Sequence, residues 1–294
     1  MHSTQVTRRQ LLQRAAATAA GMTVLAGGRS WSREQSDTQG FRIGVCDWNL
    51  GKQADPGCFA VAKDIGLDGV QVSLGTEADD MQLRRPEIQK TYLAESRAQG
   101  VAIASLAIGT LNAIPYKSDP RTEQWVNDSI DVCQALDVKV VLLAFFGKGD
   151  LRGDPKGVDE VVTRLKRVAP KAEKAGVILG IESWLSAQAH LDIIDRVGSP
   201  AVKVYYDVGN SHLRGYDIYQ EIRLLGDHIC EFHAKDYSFI FGKGKVDFPR
   251  VRQAMDDIGY RGWIQIEGAQ PHGLKESYQQ DAAYLRSVFP AKLT

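Results

Sequence analysis

The sequence predicts an α/β protein built as a single (β/α)8 TIM barrel. Short apolar runs alternate with amphipathic segments eight times, and several of the later runs end on a residue that can bind a metal. Eight strand–helix units over about 250 residues are typical of this barrel. A doubly wound open sheet is the alternative, but no Gly-x-Gly-x-x-Gly follows the first predicted strand. We therefore expect one barrel domain at residues 41–290, after a separate segment at residues 1–38.

The first four strand–helix units occupy residues 41–175. Their strands are short apolar runs, and their helices place apolar residues three and four positions apart, as Val126, Ile130 and Cys133 do in the third helix. The predicted strands are Phe41–Cys46, Gly69–Ser73, Val101–Leu106 and Val138–Phe145. The predicted helices are Cys58–Ile65, Tyr92–Gln99, Glu123–Leu136 and Asp159–Ala175.

The last four units continue the alternation to the end of the barrel. Each of their strands changes from apolar residues to a carboxylate or an imidazole at its end, which is typical of buried parallel strands that open into a site. The predicted strands are Val177–Glu182, Val202–Asp207, Ile229–His233 and Trp263–Glu267. The predicted helices are Ala189–Val197, Tyr216–Leu225, Phe248–Ile258 and Glu276–Val288.

Glu182, Asp207, His233 and Glu267 end four successive predicted strands, so we expect them to converge at one rim of the barrel. Three carboxylates and one imidazole suit Mn²⁺, Mg²⁺ or Co²⁺ better than a structural zinc. Taken singly, each acid also fits a helix cap or turn, and His233 fits a hydrogen-bonded core histidine. Four in succession favour a metal site, in which Glu182 and Glu267 would accept and donate protons beside a carbonyl.

Five short stretches surround the four site positions. They are Ile181-Glu182, Tyr206-Asp207-Val-Gly-Asn210, His233-Ala-Lys-Asp236, Gly242-Lys-Gly-Lys-Val-Asp247-Phe248 and Ile266-Glu267. These stretches resemble the sugar phosphate isomerase/epimerase superfamily, whose members have a xylose-isomerase-like barrel. The resemblance covers Phe41 to Phe289, and the spacings of 25, 26 and 34 residues between the four site positions are close to those of the superfamily. It implies a divalent metal, Mn²⁺ first and Mg²⁺ or Co²⁺ otherwise, and two glutamates that exchange protons with a sugar.

The chain departs from the ketose epimerases of that superfamily at two places. Asn210 stands where they have a substrate-contacting His, with His212 two residues later, and no Arg occurs between His233 and Arg250. The main hypothesis is an isomerase or epimerase. A lyase or dehydratase of a keto-sugar or keto-glycoside is the alternative, with Lys235 or His212 as the acid. Lys235 equally fits a structural partner of a neighbouring acid, Asp236 or Glu231. A non-catalytic sugar-binding barrel is the second alternative.

Further residues near strand ends are candidates for substrate contact. Aromatic side chains there would form an apolar wall for a sugar ring, although ordinary barrel packing explains them as well. The predicted substrate-binding residues are Trp48, Asn210, His212, Trp184 and Lys235, with Phe145 and Phe146 as further aromatic candidates. Sugar hydroxyls are expected to bond to Asp47, Asn49, Gln71 and Ser105.

Residues 1–38 are predicted to be a twin-arginine signal and linker, with a disordered basic tail as the alternative. Arg8 and Arg9 precede a weakly hydrophobic stretch that is too short and too rich in small residues to cross a membrane. We therefore expect export to the periplasm, no stable membrane anchor and an unphosphorylated sugar as substrate. Lys plus Arg equals Asp plus Glu, at 36 each, so the net charge gives no indication of nucleic acid binding. The sequence is compatible with a homo-oligomer but does not determine the oligomeric state.

Overall fold

A closed barrel of eight parallel strands forms the centre of the computed structural model, which describes residues 40–292. Each strand pairs with the next in the chain and the last pairs with the first, as the sequence predicts. The strands are β1 (Arg42–Cys46), β2 (Gly69–Ser73), β3 (Ala102–Ile108), β4 (Val140–Phe145), β5 (Ile178–Ser183), β6 (Val202–Asp207), β7 (Ile229–Ala234) and β8 (Trp263–Ile266). The predicted export signal lies outside the described residues.

Nine α-helices occur between residues 40 and 292, and none is long and apolar enough to cross a membrane. The helices are α1 (Cys58–Ile65), α2 (Pro86–Gln99), α3 (Arg121–Leu136), α4 (Pro155–Ala175), α5 (Ala187–Val197), α6 (Val208–Leu213), α7 (Ile218–Leu225), α8 (Phe248–Asp257) and α9 (Leu274–Val288). The helices α2 and α4 begin earlier than the pattern predicts, because each starts on a proline, whose fixed φ suits a first helical turn.

The short helix α6 is absent from the sequence prediction, which allowed only a turn after Asp207. It forms because the Asp207 carboxylate accepts a hydrogen bond of 2.8 Å from the backbone N–H of Asn210, which caps the first turn. A residue at the end of β6 therefore serves both the site and the start of a helix.

The barrel interior contains a layer of polar side chains below the rim on which the strands end. Side chains alternate along a strand, so residues two positions before a rim residue point into the barrel in the same direction. This layer is buried, with at most 2% of any residue exposed. It consists of Gln71, Ser105, Tyr205, Glu231 and Gln265. The apolar core lies mainly between the strands and the surrounding helices.

Candidate metal centre

The four predicted metal ligands lie together at the carboxyl rim. Glu182, Asp207 and His233 belong to β5, β6 and β7, and Glu267 follows β8 directly. One potential ligand atom from each residue lies within 4.8 Å of those of the other three. The first three residues are buried and the fourth is partly buried. The strand ends therefore converge as the barrel geometry requires.

His233 lies at the centre of this cluster. Its Nδ1 is 2.7 Å from Glu182 Oε1, 4.0 Å from Asp207 Oδ2 and 3.9 Å from Glu267 Oε2. Burial disfavours the charged ring, but its interactions with Cys46 and with the Glu182 carboxylate outweigh burial and raise the pKa of His233 well above its usual range. Without a cation, the ring neutralises part of the carboxylate charge.

Lys235 extends its ammonium into the same cluster. Its Nζ is 2.6 Å from Glu267 Oε2 and 3.8 Å from Asp207 Oδ2. Burial opposes ionisation of Glu267, but the positive charges of Lys235 and His233 outweigh it and hold the pKa of Glu267 below its usual range. The alternative of a structural pair with Asp236 or Glu231 is wrong, since both acids accept their hydrogen bonds from other groups.

The cluster fits a divalent cation. Burial, together with the charges of Glu267 and Glu182, raises the pKa of Asp207 to about 7 although Lys235 opposes the shift. Within residues 40–292 no group donates a hydrogen bond to the buried Asp207 Oδ2, so this oxygen has a free acceptor position. Three carboxylates and one imidazole are donors for Mn²⁺, Mg²⁺ or Co²⁺. Binding of the cation would require Nδ1 of His233 to lose its proton.

Three of the predicted substrate-binding residues contact the cluster. Lys235 and Trp48 do so through their side chains, and Asn210 does so through its backbone N–H, which donates to the Asp207 carboxylate. The Trp48 indole N–H donates a hydrogen bond of 3.2 Å to Glu267 Oε1, and its ring meets the His233 ring edge-to-face at 6.1 Å. Both oxygens of Glu267 are therefore held, one by the indole and one by the Lys235 ammonium. This arrangement fixes the direction in which the carboxylate faces.

The side chains of Asn210, His212 and Trp184 interact with groups outside the cluster. Asn210 is buried and its side-chain oxygen accepts a hydrogen bond of 2.7 Å from the Tyr237 hydroxyl. His212 is half-buried and interacts electrostatically with Asp236.

The Trp184 ring is surrounded by two guanidinium groups and one aromatic ring. The Arg152 and Arg214 guanidinium groups lie 4.8 and 4.4 Å from its centroid, and Phe146 packs against it. Trp184 therefore combines an aromatic surface with positive charge.

Several proposed sugar contacts are wrong because the side chains bond within the protein. Phe145 is fully buried against Tyr116 in the core. Fully buried Asp47 accepts hydrogen bonds from Ser73 and Ala54. Asn49 is only partly buried and donates its side-chain N–H to Tyr278, so its contact with a sugar stays a prediction. Gln71 and Ser105 are fully buried in the interior layer and bond to each other.

Sequence reasoning missed Tyr205 and Tyr237 near the cluster, and it named Glu231 only as a possible partner of Lys235. Tyr205 and Glu231 come two residues before Asp207 and His233, so strand alternation alone was a usable signal for them. Tyr237 adopts a left-handed backbone conformation with φ of 48° just after β7. No feature of the sequence indicates that conformation, because left-handed backbone is uncommon for residues other than glycine.

Comparisons with known proteins agree with this architecture. A family model described as xylose isomerase-like TIM barrel matches residues 59–288. The putative L-ribulose-5-phosphate 3-epimerase of Escherichia coli (strain K12) is 25% identical over 255 residues, covering 77% of this chain and 88% of that protein. The 2-epi-5-epi-valiolone 7-phosphate 2-epimerase of an Actinoplanes species is 26% identical over 179 residues, covering 60% of this chain and 65% of that protein.

Solved structures show the same fold. D-psicose 3-epimerase from Clostridium cellulolyticum H10, solved with D-tagatose, superposes with a TM-score of 0.72 at 17% identity, covering 84% of this chain and 99% of that chain. A 3-keto-D-glucoside 4-epimerase from E. coli superposes with a TM-score of 0.69 at 14% identity, again covering 84% of this chain and 99% of that chain.

Proposed function

The chain belongs to the xylose isomerase-like TIM barrel family, and we propose that it is a divalent-metal-dependent sugar isomerase or epimerase. The reaction would transfer a proton at a carbon next to a carbonyl. The observation that carries the proposal is the convergence of Glu182, Asp207, His233 and Glu267 in one cluster at the carboxyl rim. The proteins to which the chain is similar include epimerases of ketose phosphates, free ketoses and a keto-glucoside, which supports the same reaction class.

The four cluster residues would hold the cation. When bound, the cation supplies a positive charge that polarises substrate oxygens and stabilises negative charge developing on them. We propose Mn²⁺ as the ion, with Mg²⁺ and Co²⁺ as alternatives that the same donors accept. Trp48 and Lys235 would hold Glu267 in a fixed direction beside the substrate.

Glu182 and Glu267 would carry the proton. They belong to β5 and to the end of β8, which are not neighbours in the barrel, so they can reach a bound sugar from different sides. The pKa of Glu267 lies below its usual range, so this carboxylate is ionised at neutral pH and is ready to accept a proton. Glu182, bonded to His233, would begin in its protonated form and deliver its own proton on the other side of the same carbon, and proton exchange with water would return both glutamates to their starting states.

We propose an unphosphorylated sugar or sugar derivative as the substrate. The support is the predicted export signal at residues 1–38, because a periplasmic enzyme meets free sugars and glycosides. The sequence also has no Gly-x-x-x-x-Gly-Lys-Ser/Thr loop for phosphate. Relatives act on both kinds of substrate, so turnover of a ketose beside that of its phosphate ester tests this part of the proposal directly.

Elimination from a keto-sugar or keto-glycoside is the second candidate reaction. It is favoured by the position of the Lys235 ammonium, which lies 2.6 Å from Glu267 and therefore next to the proposed base. Elimination begins with the same proton abstraction as isomerisation, but it also needs a group that protonates the departing oxygen. Isomerisation conserves the mass of the substrate, whereas elimination loses water or an alcohol.

The decisive experiment combines metal analysis with exchange in ²H₂O. Candidate sugars and keto-sugars are incubated with the wild type, Glu182→Gln, Glu267→Gln and a control, Glu221→Gln, which changes a buried carboxylate outside the cluster. We expect the wild type and Glu221→Gln to contain stoichiometric divalent metal and to introduce deuterium at a carbon beside the carbonyl. Both the metal content and the deuterium uptake should be lost or strongly reduced in Glu182→Gln and Glu267→Gln. A metal-free protein that binds sugar without exchange would refute the proposal and leave a sugar-binding barrel.

A further inference from the structure

A second layer of buried polar groups lies directly below the proposed metal ligands. Each of its three central residues comes two positions before a cluster residue. They are Tyr205 on β6, before Asp207, Glu231 on β7, before His233, and Gln265 on β8, before Glu267. Because side chains alternate along a strand, these three point into the barrel beneath the residues above them. Each is at most 2% exposed, so none of them can touch a substrate at the rim.

Glu231 receives the hydrogen bonds of this layer. Its Oε1 accepts from Ser105 Oγ at 2.8 Å, from the Tyr205 hydroxyl at 2.9 Å and from Gln265 Nε2 at 2.8 Å. All three bonds end on the same oxygen, which is an acceptor whether or not the other oxygen carries a proton. The single hydroxyl hydrogens of Ser105 and Tyr205 are therefore both directed at Glu231.

This arrangement determines the orientation of the Gln71 amide. Gln71 Nε2 lies 3.1 Å from Ser105 Oγ and 3.0 Å from the Tyr205 hydroxyl oxygen. Both hydroxyls have already donated their hydrogen, so they can only accept, and the end of the amide that faces them must be the NH₂ group. Gln71 Oε1 consequently points away from Glu231 and towards the rim.

The oriented amide in turn fixes the protonation of His233. Gln71 Oε1 lies 2.8 Å from His233 Nε2, and because this oxygen can only accept, Nε2 must carry a hydrogen. A neutral histidine with hydrogen on Nε2 has its lone pair on Nδ1. Nδ1 is the nitrogen that faces the three carboxylates of the cluster.

We propose that Glu231 and Gln71 are positioning residues that prepare His233 to bind a divalent cation through Nδ1. The carboxylate sets the direction of two hydroxyls, these orient the amide, and the amide selects one tautomer and one ring orientation. The proposal rests on the metal site of the proposed function, and it adds which residues outside that site make it competent.

The test starts with Glu231→Gln and Gln71→Met. A glutamine at 231 can donate as well as accept, so the two hydroxyls and Gln71 can reverse, and the reversed amide would favour a hydrogen on Nδ1. Gln71→Met removes the oxygen acceptor for Nε2 and leaves the Cys46 sulfur, a weak acceptor 3.3 Å from this nitrogen. We expect both variants to bind Mn²⁺ about 10- to 100-fold more weakly than the wild type in calorimetric titrations, the size usual for a lost partner of a metal-binding histidine.

The matched control is Gln265→Met. Gln265 has the same side chain and depth as Gln71 and donates to the same Glu231 oxygen, but it has no hydrogen bond to His233 among the described residues. We expect this variant to lose stability and to keep its Mn²⁺ affinity within about twofold. The double variant Gln71→Glu/Glu231→Gln restores an acceptor-only group below Nε2, and we expect it to recover most of the affinity that Glu231→Gln loses.

The direct readout is ¹⁵N NMR of labelled histidines in the protein saturated with diamagnetic Mg²⁺. The proposal expects a hydrogen bonded to Nε2 and not to Nδ1 of His233 in the wild type. Either of two results would overturn the positioning role and leave the proposed function standing. One is a hydrogen on Nδ1 of His233 in the Mg²⁺-saturated wild type. The other is a wild type that binds Mn²⁺ while Glu231→Gln and Gln71→Met bind it with affinities within twofold. A wild type that binds no divalent cation would overturn the proposed function and this inference with it.

Discussion

Replacing Lys235 by methionine tests how the cluster is stabilised without a cation. Three carboxylates are close together there, and their neutralising partners are the His233 ring and the Lys235 ammonium, 2.6 Å from Glu267. Methionine keeps most of the length of the side chain but removes the charge. Glu267 would then lose its closest cation while keeping its position beside the other two carboxylates.

The magnitude follows from the burial of the pair. Removing one partner of a buried ion pair costs about 3–5 kcal/mol, because the other charge stays buried and unpaired. The Lys235 and Glu267 side chains are each 20% exposed, so water screens them in part and we expect the lower value, about 3 kcal/mol. For a barrel of this size the loss corresponds to a fall in Tm of roughly 6–12 °C.

The pH dependence of this loss has a definite sign. The pKa of Glu267 is lowered from its ordinary value of 4.5, so its ionised form stabilises the folded wild type above that pH, and the contribution disappears as pH falls through the lowered pKa. We therefore expect the gap in stability between wild type and Lys235→Met to be full at pH 7 and to close at low pH.

The assay is urea unfolding at pH 7, with chelator and with saturating Mn²⁺, beside Lys243→Met as a control. Lys243 is exposed on the following loop and should be neutral when replaced. We expect Lys235→Met to be less stable in chelator and to regain stability with Mn²⁺, because the cation takes over the neutralising role and is no longer repelled by the ammonium. Equal stabilities of the chelated wild type and variant would refute this account of the cluster.

Two further substitutions give sharp expectations. Burial raises the pKa of Asp281 to about 7, and no described group donates a hydrogen bond to its Oδ2. The protonated carboxyl group therefore contributes fully to stability below about pH 4, and this contribution is lost as pH rises through 7. Asp281→Asn should therefore be about 1–2 kcal/mol more stable than wild type in urea unfolding at pH 8, and less so at pH 5. In Gly209→Ala the new Cβ would lie 2.6 Å from the Lys235 carbonyl oxygen, so the backbone beside Lys235 would have to shift. We expect weaker Mn²⁺ binding in calorimetry and a free energy of unfolding that is lower by roughly 1–3 kcal/mol in urea. Gly109→Ala, which has open space around the new Cβ, is the control and should change neither.

The convergence of the cluster could be predicted because it depends on strand ends alone. A closed parallel barrel brings the carboxyl ends of all strands to one rim, so an acid or imidazole at the end of β5, β6, β7 and β8 has to converge with the others. Glu182, Asp207 and His233 occupy the predicted strand ends, and Glu267 comes one residue after β8. An error of one or two residues in a boundary does not change this result.

The partners of individual side chains could not be predicted in the same way. Lys235 pairs with Glu267 although Asp236 is its neighbour in sequence, because the direction in which the chain leaves β7 decides the partner. Gln71 and Ser105 were expected to bind sugar because they are polar residues on strands near the site. Their depth below the rim, which depends on the register of β2 against β3, places them in the interior instead.

The buried Glu231 shows how the two layers depend on each other. Burial raises its pKa to about 7, so a carboxyl group at this depth carries a cost that an amide of similar shape would avoid. An amide, however, has a donor and an acceptor end and could not impose one direction on the hydroxyls of Ser105 and Tyr205. The oxygen that receives three hydrogen bonds offsets part of the cost and keeps that direction in either protonation state. Since the same direction determines that Nε2 of His233 carries a hydrogen, which leaves the lone pair of the neutral ring on Nδ1, the cost of burying Glu231 is best explained by the cation site above it.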